Sequence, residues 1–203
     1  MKKIYILAEI AAMFALCMVK IWIIREDFIL LIILFLISIS WMLNGETPKT
    51  LGFLPSVRLT DNRVQITSVA IITALCFVPF MENYDAIQAG MRKTWDFIFH
   101  QYGWALLQQT LISGYFALRL NEALQNRRQA SFATGILFGV GHFPNAFLML
   151  AAFLGGMIFS AIFLKRRSIH EVSALHAISS AILYHSIPSS IHHGFVVGPK
   201  LFN

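Results

Sequence analysis

Charge is what this 203-residue chain has least of. Lys, Arg, Asp and Glu make up 13% of it, against 57% hydrophobic residues and a mean hydropathy of +0.67. That balance excludes an ordinary soluble domain, in which about a quarter of residues are charged. Cysteine is nearly absent as well. The two present, Cys17 and Cys76, lie inside apolar runs with neither disulfide-like nor metal-like spacing, and read as core fillers. The net charge of +6 could suggest nucleic acid, but the basic residues sit in short clusters between apolar runs rather than along one face. That is a topogenic pattern, so no nucleic-acid partner is expected.

What is abundant is uninterrupted apolar sequence. Charge-free runs occupy residues 28–45, 64–81, 97–118, 129–164 and 172–199, each near or above the roughly 20 residues a helix needs to cross hydrocarbon. The expected fold is therefore all-α: a polytopic bundle of about seven spans (six to eight), forming one integral membrane domain over residues 1–203 with lipid around it. Spans are expected near 4–24, 28–44, 65–81, 97–119, 130–142, 146–164 and 172–188, with an eighth short or re-entrant piece open in the tail. The run from 129 to 164 divides at "GHFPN", because Pro144 disfavours a helical Phe143 and lacks a backbone donor. The basic start "MKKIYILAEIAAMFALCMVKIWII" reads as a first span rather than a cleaved leader, since Glu9 interrupts its core and no small-x-small site precedes Lys20.

Loop charges alternate. Lys2 and Lys3, then Lys49, Arg58 and Arg63, then Arg127 and Arg128 mark the basic side, and the positive-inside rule puts the N-terminus in the cytoplasm, with a bacterial cytoplasmic membrane as the expected setting. "TPKTLGFLPSVRLTDNRVQ" and "YDAIQAGMRKTWDFIF" read as interfacial segments, the second with Ile87, Met91, Trp95 and Ile98 at helical spacing. Small residues four apart, Gly135 with Gly139 and Gly156 with Ser160, suit close helix packing in lipid.

A strongly polar side chain in a span is costly unless it faces the protein interior, a wet cavity or a partner. Those here are Glu9, Gln108, Gln109, His142, Asn145, His176, Ser179, Ser180 and His185, with His192 and His193 in the tail. His176 and Ser180 are four apart and share a helix face, from which His185 is turned by about half a turn. Gln108 and Gln109 differ in direction by about 100°, so one can face a cavity while the other bonds across to a neighbouring helix. Interhelical glue would explain the pair without any catalytic role.

Read in order, "QQTLISG", "FGVGH" and "LHAISS" resemble the CAAX-processing and bacteriocin-processing (CPBP, or Abi) family of intramembrane proteases. The family pattern is E-E-x-x-F-R-G, then F-x-x-x-H, then a Gly-containing span, then H-x-x-x-N. Gln108 and Gln109 fall on the two glutamates, Ser113 on the arginine and Gly114 on the glycine. Phe138 and His142 match the second motif, His176 the later histidine, and Ser180 replaces the asparagine. "LGFLPSVRL" looks like the short loop that such proteins carry before the next span, so the likeness runs over about residues 50–185.

The resemblance implies a membrane-embedded endopeptidase acting near a hydrophobic or lipidated C-terminus, its partner a peptide or membrane protein. In the family the glutamate activates water, and the histidines and asparagine stabilise the oxyanion or position that water. This chain departs at the decisive position, because a carboxamide cannot accept a proton near neutral pH. Three routes stay open for an active enzyme: His142 or His176 as base, a carboxylate (Glu9, Glu82, Asp85 or Asp96) arriving from elsewhere, or a divalent metal held by His142 and His176. A silent relative that binds a lipid, peptide or partner protein is the competing reading, and a histidine-metal enzyme acting on a hydrophobic small molecule is the third.

Overall fold

A computed structural model describes residues 2–24, 26, 28–54 and 101–202. The expected span at 65–81, the interfacial helix at 84–99, most of the segment from 47 to 65, and Cys76, Glu82, Asp85 and Asp96 lie outside the described residues. Within them the chain is helical throughout, with no strand. Helix α1 spans Lys2–Trp22 and α2 spans Phe28–Leu43. Helix α3 runs through residues 101–124, with a π-wound middle at Ile112–Ala117. It is followed by α4 (Arg127–Val140), α5 (Ala146–Arg166), α6 (Ile169–Ser186) and the single turn α7 (Ser189–His192).

The outer helices are apolar on both faces. In α2, Ile29, Ile33 and Ile37 recur every four residues and are buried, whereas Phe28, Leu31 and Phe35 on the other side are exposed. A helix with apolar side chains facing outward as well as inward suits lipid rather than water. Helices α1 and α5 are long and apolar enough to cross a membrane, and α2 is a shorter apolar helix.

Local chemistry fixes the ends. Asn126 caps α4 by accepting from the backbone N–H groups of Arg128 and Gln129, and Ser168 caps α6 by accepting from Glu171. Two helices therefore begin earlier than their apolar runs suggest: α4 opens on Arg127 and Arg128, and α6 takes Glu171 into its first turn. The break expected at "GHFPN" is present. Residues 141–145 leave the helix, and Asn145, 1% exposed, caps α5 by accepting from Leu148 N–H at 3.1 Å.

The tail is compact and adds no further span among the described residues. It turns back from α6, and the Asn145 amide donates to the carbonyls of His192 (3.0 Å) and Val196 (3.2 Å). Gly198 N–H donates to Phe143 O at 3.0 Å, which closes the tail on the α4–α5 turn.

Helices α4 and α5 approach each other closely. A Cβ added at Gly135 would lie 2.6 Å from Phe153 O, and one at Gly156 would lie 3.0 Å from Phe138 Cβ and 3.1 Å from Gly135 Cα. Only glycine permits that approach, and the small-residue spacing read from the sequence is what produces it.

Glu9 serves a different purpose from the catalytic one left open for it. Its carboxylate accepts from Ser40 Oγ of α2 at 2.7 Å, from Tyr115 OH of α3 at 3.0 Å, and from the Arg119 guanidinium, which also bonds Asn44 and Glu122. Lys2 pairs with Glu122 at 3.0 Å. One buried arginine thus ties α1, α2 and α3 together. In a double-mutant cycle, Arg119→Met and Glu9→Gln should couple by about 1–2 kcal/mol in unfolding from mixed micelles; strictly additive effects would show that the pair does not hold these helices.

Candidate active site

Two aromatic residues from neighbouring helices build the frame. Phe138 of α4 lies edge-on to His142 (centroids 4.7 Å apart) and to His176 of α6 (5.7 Å), and Phe159 of α5 stacks on His176 at 5.5 Å and 27°. Because Gly156 leaves room for Phe138, the α4–α5 contact sets where both imidazoles stand.

A cavity of about 500 Å³ opens between α3, α4, α5, α6 and the tail. Gln108, His142, His176 and Ser180 all line it, together with Ser179 and mostly apolar side chains such as Trp104 and Phe147. Among the described residues its lining holds no charged side chain. His185 does not line it and packs on Tyr184 instead. The shared face of His176 and Ser180, with His185 turned away, follows from the helical 100° step.

The two glutamines divide as their directions suggest. Gln108 reaches the cavity, whereas Gln109, 0% exposed, stands behind it. Its Nε2 is 3.1 Å from His176 Nδ1, and its Oε1 accepts from Ser113 Oγ at 2.6 Å. Ser113 is equally buried and sits in the π-wound stretch. That winding also turns the Gly114 carbonyl toward Trp41, whose indole N–H donates to it at 2.9 Å.

His142 has a fixed proton. Its Nδ1 lies 2.7 Å from Phe138 O, and since a carbonyl only accepts, Nδ1 carries the hydrogen and Nε2 is left with a lone pair.

Asn145 and the tail histidines do not serve the cavity directly. Asn145 is consumed by capping and tail anchoring. His192 is buried between Tyr184 and Phe195 and accepts from Gly194 N–H at 2.9 Å, and His193 is exposed. The tail instead contributes Gly194, Phe195 and Val197 to the lining. Among the described residues no three His, Cys, Asp or Glu side chains come together as a metal site would need. An ion at His142 and His176 would have to complete its shell from water or substrate.

The chain matches the type II CAAX prenyl endopeptidase Rce1-like family over residues 65–182, more than half its length. It belongs to this family. No curated protein and no solved structure gives a significant match. Membership in the Rce1-like family makes the protein an integral membrane helix bundle of the CAAX-protease-like intramembrane endopeptidase kind. The match takes in α3, α4, α5 and most of α6, and with them Gln108, His142, His176 and Ser180 of the cavity lining.

Two residues that position the site were legible only as motif letters. Phe138 and Ser113 carry no charge to draw notice, and their roles come from contacts across helices that spacing alone does not reveal. Gly156→Leu should push Phe138 off both imidazoles and cost about 1–3 kcal/mol of stability; a variant as stable as the parent in thermal unfolding would show that the α4–α5 contact yields freely.

Proposed function

We propose that this Rce1-like protein hydrolyses a peptide bond near a hydrophobic or lipidated C-terminus, with His142 in place of the family's glutamate as the base. The observation that carries the reading is the Nδ1–H of His142 held by Phe138 O, which leaves Nε2 as a proton acceptor in a cavity without carboxylates among its described lining residues. Among the described lining residues the imidazoles of His142 and His176 are the side chains with a ring-nitrogen lone pair able to take up a proton.

The step balances simply. Water adds to the scissile carbonyl carbon while His142 Nε2 takes one of its protons, and the developing oxyanion is met by N–H donors lining the cavity, the Gln108 amide among them. The proton on Nε2 then passes to the departing amine as the C–N bond breaks. Gln108 has no basic role in this scheme. It serves as donor, which a carboxamide does and a carboxylate does not.

The orientation read from the loops has structural support. Lys2 meets Glu122 and Arg167 meets Glu46, so the start of α1 and the α5–α6 turn share one end of the bundle, near the α3–α4 turn with Arg127 and Arg128. A basic end of this kind favours the cytoplasmic side, with the N-terminus there and the α4–α5 turn and tail at the other face of a bacterial cytoplasmic membrane.

The missing carboxylate also favours a second reading, a catalytically silent relative that keeps the cavity and binds a lipid, peptide or membrane protein. The two separate in reconstituted liposomes presented with prenylated or acylated C-terminal peptides. Cleavage that falls by about 10²–10⁴ in His142→Asn and by about 10²-fold in Gln108→Ala is the expected result. Peptide binding without any cleavage, unchanged by His142→Asn, would establish the silent relative instead.

A further inference from the structure

Gln109 contributes nothing to the cavity surface, yet it is fully buried directly behind it. Its amide has two chemically different ends, and both are engaged: Oε1 accepts from Ser113 Oγ at 2.6 Å and Nε2 faces His176 Nδ1 at 3.1 Å. Gln109 and Ser113 are both 0% exposed, so no water competes for either contact.

An amide N–H can only donate. The ring nitrogen it faces must therefore be the bare one, and a neutral His176 carries its single proton on Nε2. His176 lines the cavity with Nδ1 turned to Gln109, which makes Nε2–H the group it offers there. The aromatic packing fixes this arrangement, since the ring is stacked on Phe159 and edged by Phe138. His142 is the reverse case, with Nδ1 protonated against Phe138 O and Nε2 bare.

We propose that Gln109, oriented by Ser113, is a positioning residue that sets His176 as a hydrogen-bond donor to the cavity, so that the two imidazoles present opposite polarity. A carboxylate in its place would accept from Nδ1–H and leave both histidines with bare Nε2 atoms. Gln109 is thus an active choice of tautomer rather than a defective glutamate. Ser113 belongs to the same device: its hydroxyl, one helical turn along, donates to Oε1 and so holds the amide with Nε2 toward the ring. The catalytic meaning of this polarity rests on the peptidase reading above, but the tautomers do not.

Nitrogen-15 NMR of protein labelled at histidine and glutamine in lipid nanodiscs tests it, with His142→Asn and His176→Asn identifying the two histidine signals. In the native protein the unprotonated nitrogen should be Nδ1 for His176 and Nε2 for His142. A through-hydrogen-bond coupling should connect Gln109 Nε2 to His176 Nδ1. Gln109→Glu should protonate His176 Nδ1 and leave the His142 pattern unchanged, and Ser113→Ala should give His176 a mixture of tautomers. A native His176 already protonated on Nδ1 overturns the proposal, as does a His176 that keeps its Nδ1 bare in the Gln109→Glu variant. Should Gln109→Glu fail to fold, the coupling in the native protein decides alone. Because no spectrum here depends on turnover, an inactive protein with the expected tautomers would sink only the peptidase reading, and an active one without them only this inference.

Discussion

The contact between α4 and α5 at Gly135 and Gly156 is the constraint from which the site follows. Helices in lipid gain little from burying apolar surface against each other, so close packing depends on residues small enough to let backbones meet. Here Gly156 admits Phe138, and Phe138 in turn supplies the carbonyl that orients His142 and the ring edge that borders both imidazoles. A larger side chain at Gly156 would act on the histidines through Phe138 without touching them.

Among the described residues, the charged groups around Arg119 stand apart from the polar groups of the cavity. Toward the N-terminal end of α1, Arg119 neutralises Glu9 and gathers α1, α2 and α3. Among the described residues no charged side chain lines the cavity, and behind it the Gln109 amide, the Ser113 hydroxyl and the His176 imidazole satisfy one another. Separation has a physical reason. A carboxylate close to the histidines would compete for their protons, whereas paired with a buried guanidinium it is committed elsewhere.

Much of the architecture was legible because bilayer thickness converts apolar run length into helices. The starts of α1, α2 and α5, the break before Pro144, and the opposite facings of Gln108 and Gln109 all follow from run length, proline chemistry and the 100° step. The helix starts at Arg127 and Ile169 were less legible, because caps at Asn126 and Ser168 extend each helix past its apolar run into charged residues. The π-wound stretch, the return of the tail onto Asn145, and the burial of His192 depend on contacts between distant segments, which periodicity does not carry. The same holds for Ser113 and Phe138, whose importance is visible only once their partners are in place.

The position that most suggests lost activity has a different meaning when hydrogen-bond polarity is followed atom by atom. Replacing a glutamate pair by two carboxamides removes two proton acceptors, but it also adds N–H donors on both residues. On the cavity side that donor belongs to Gln108, and behind it Gln109 Nε2 lies 3.1 Å from His176 Nδ1. In the proposed reaction the base is His142, whose proton is directed the other way by the backbone carbonyl of Phe138. In that reaction the proton acceptor stands at the α4–α5 turn, while α3, which carries Gln108, contributes a donor to the same cavity.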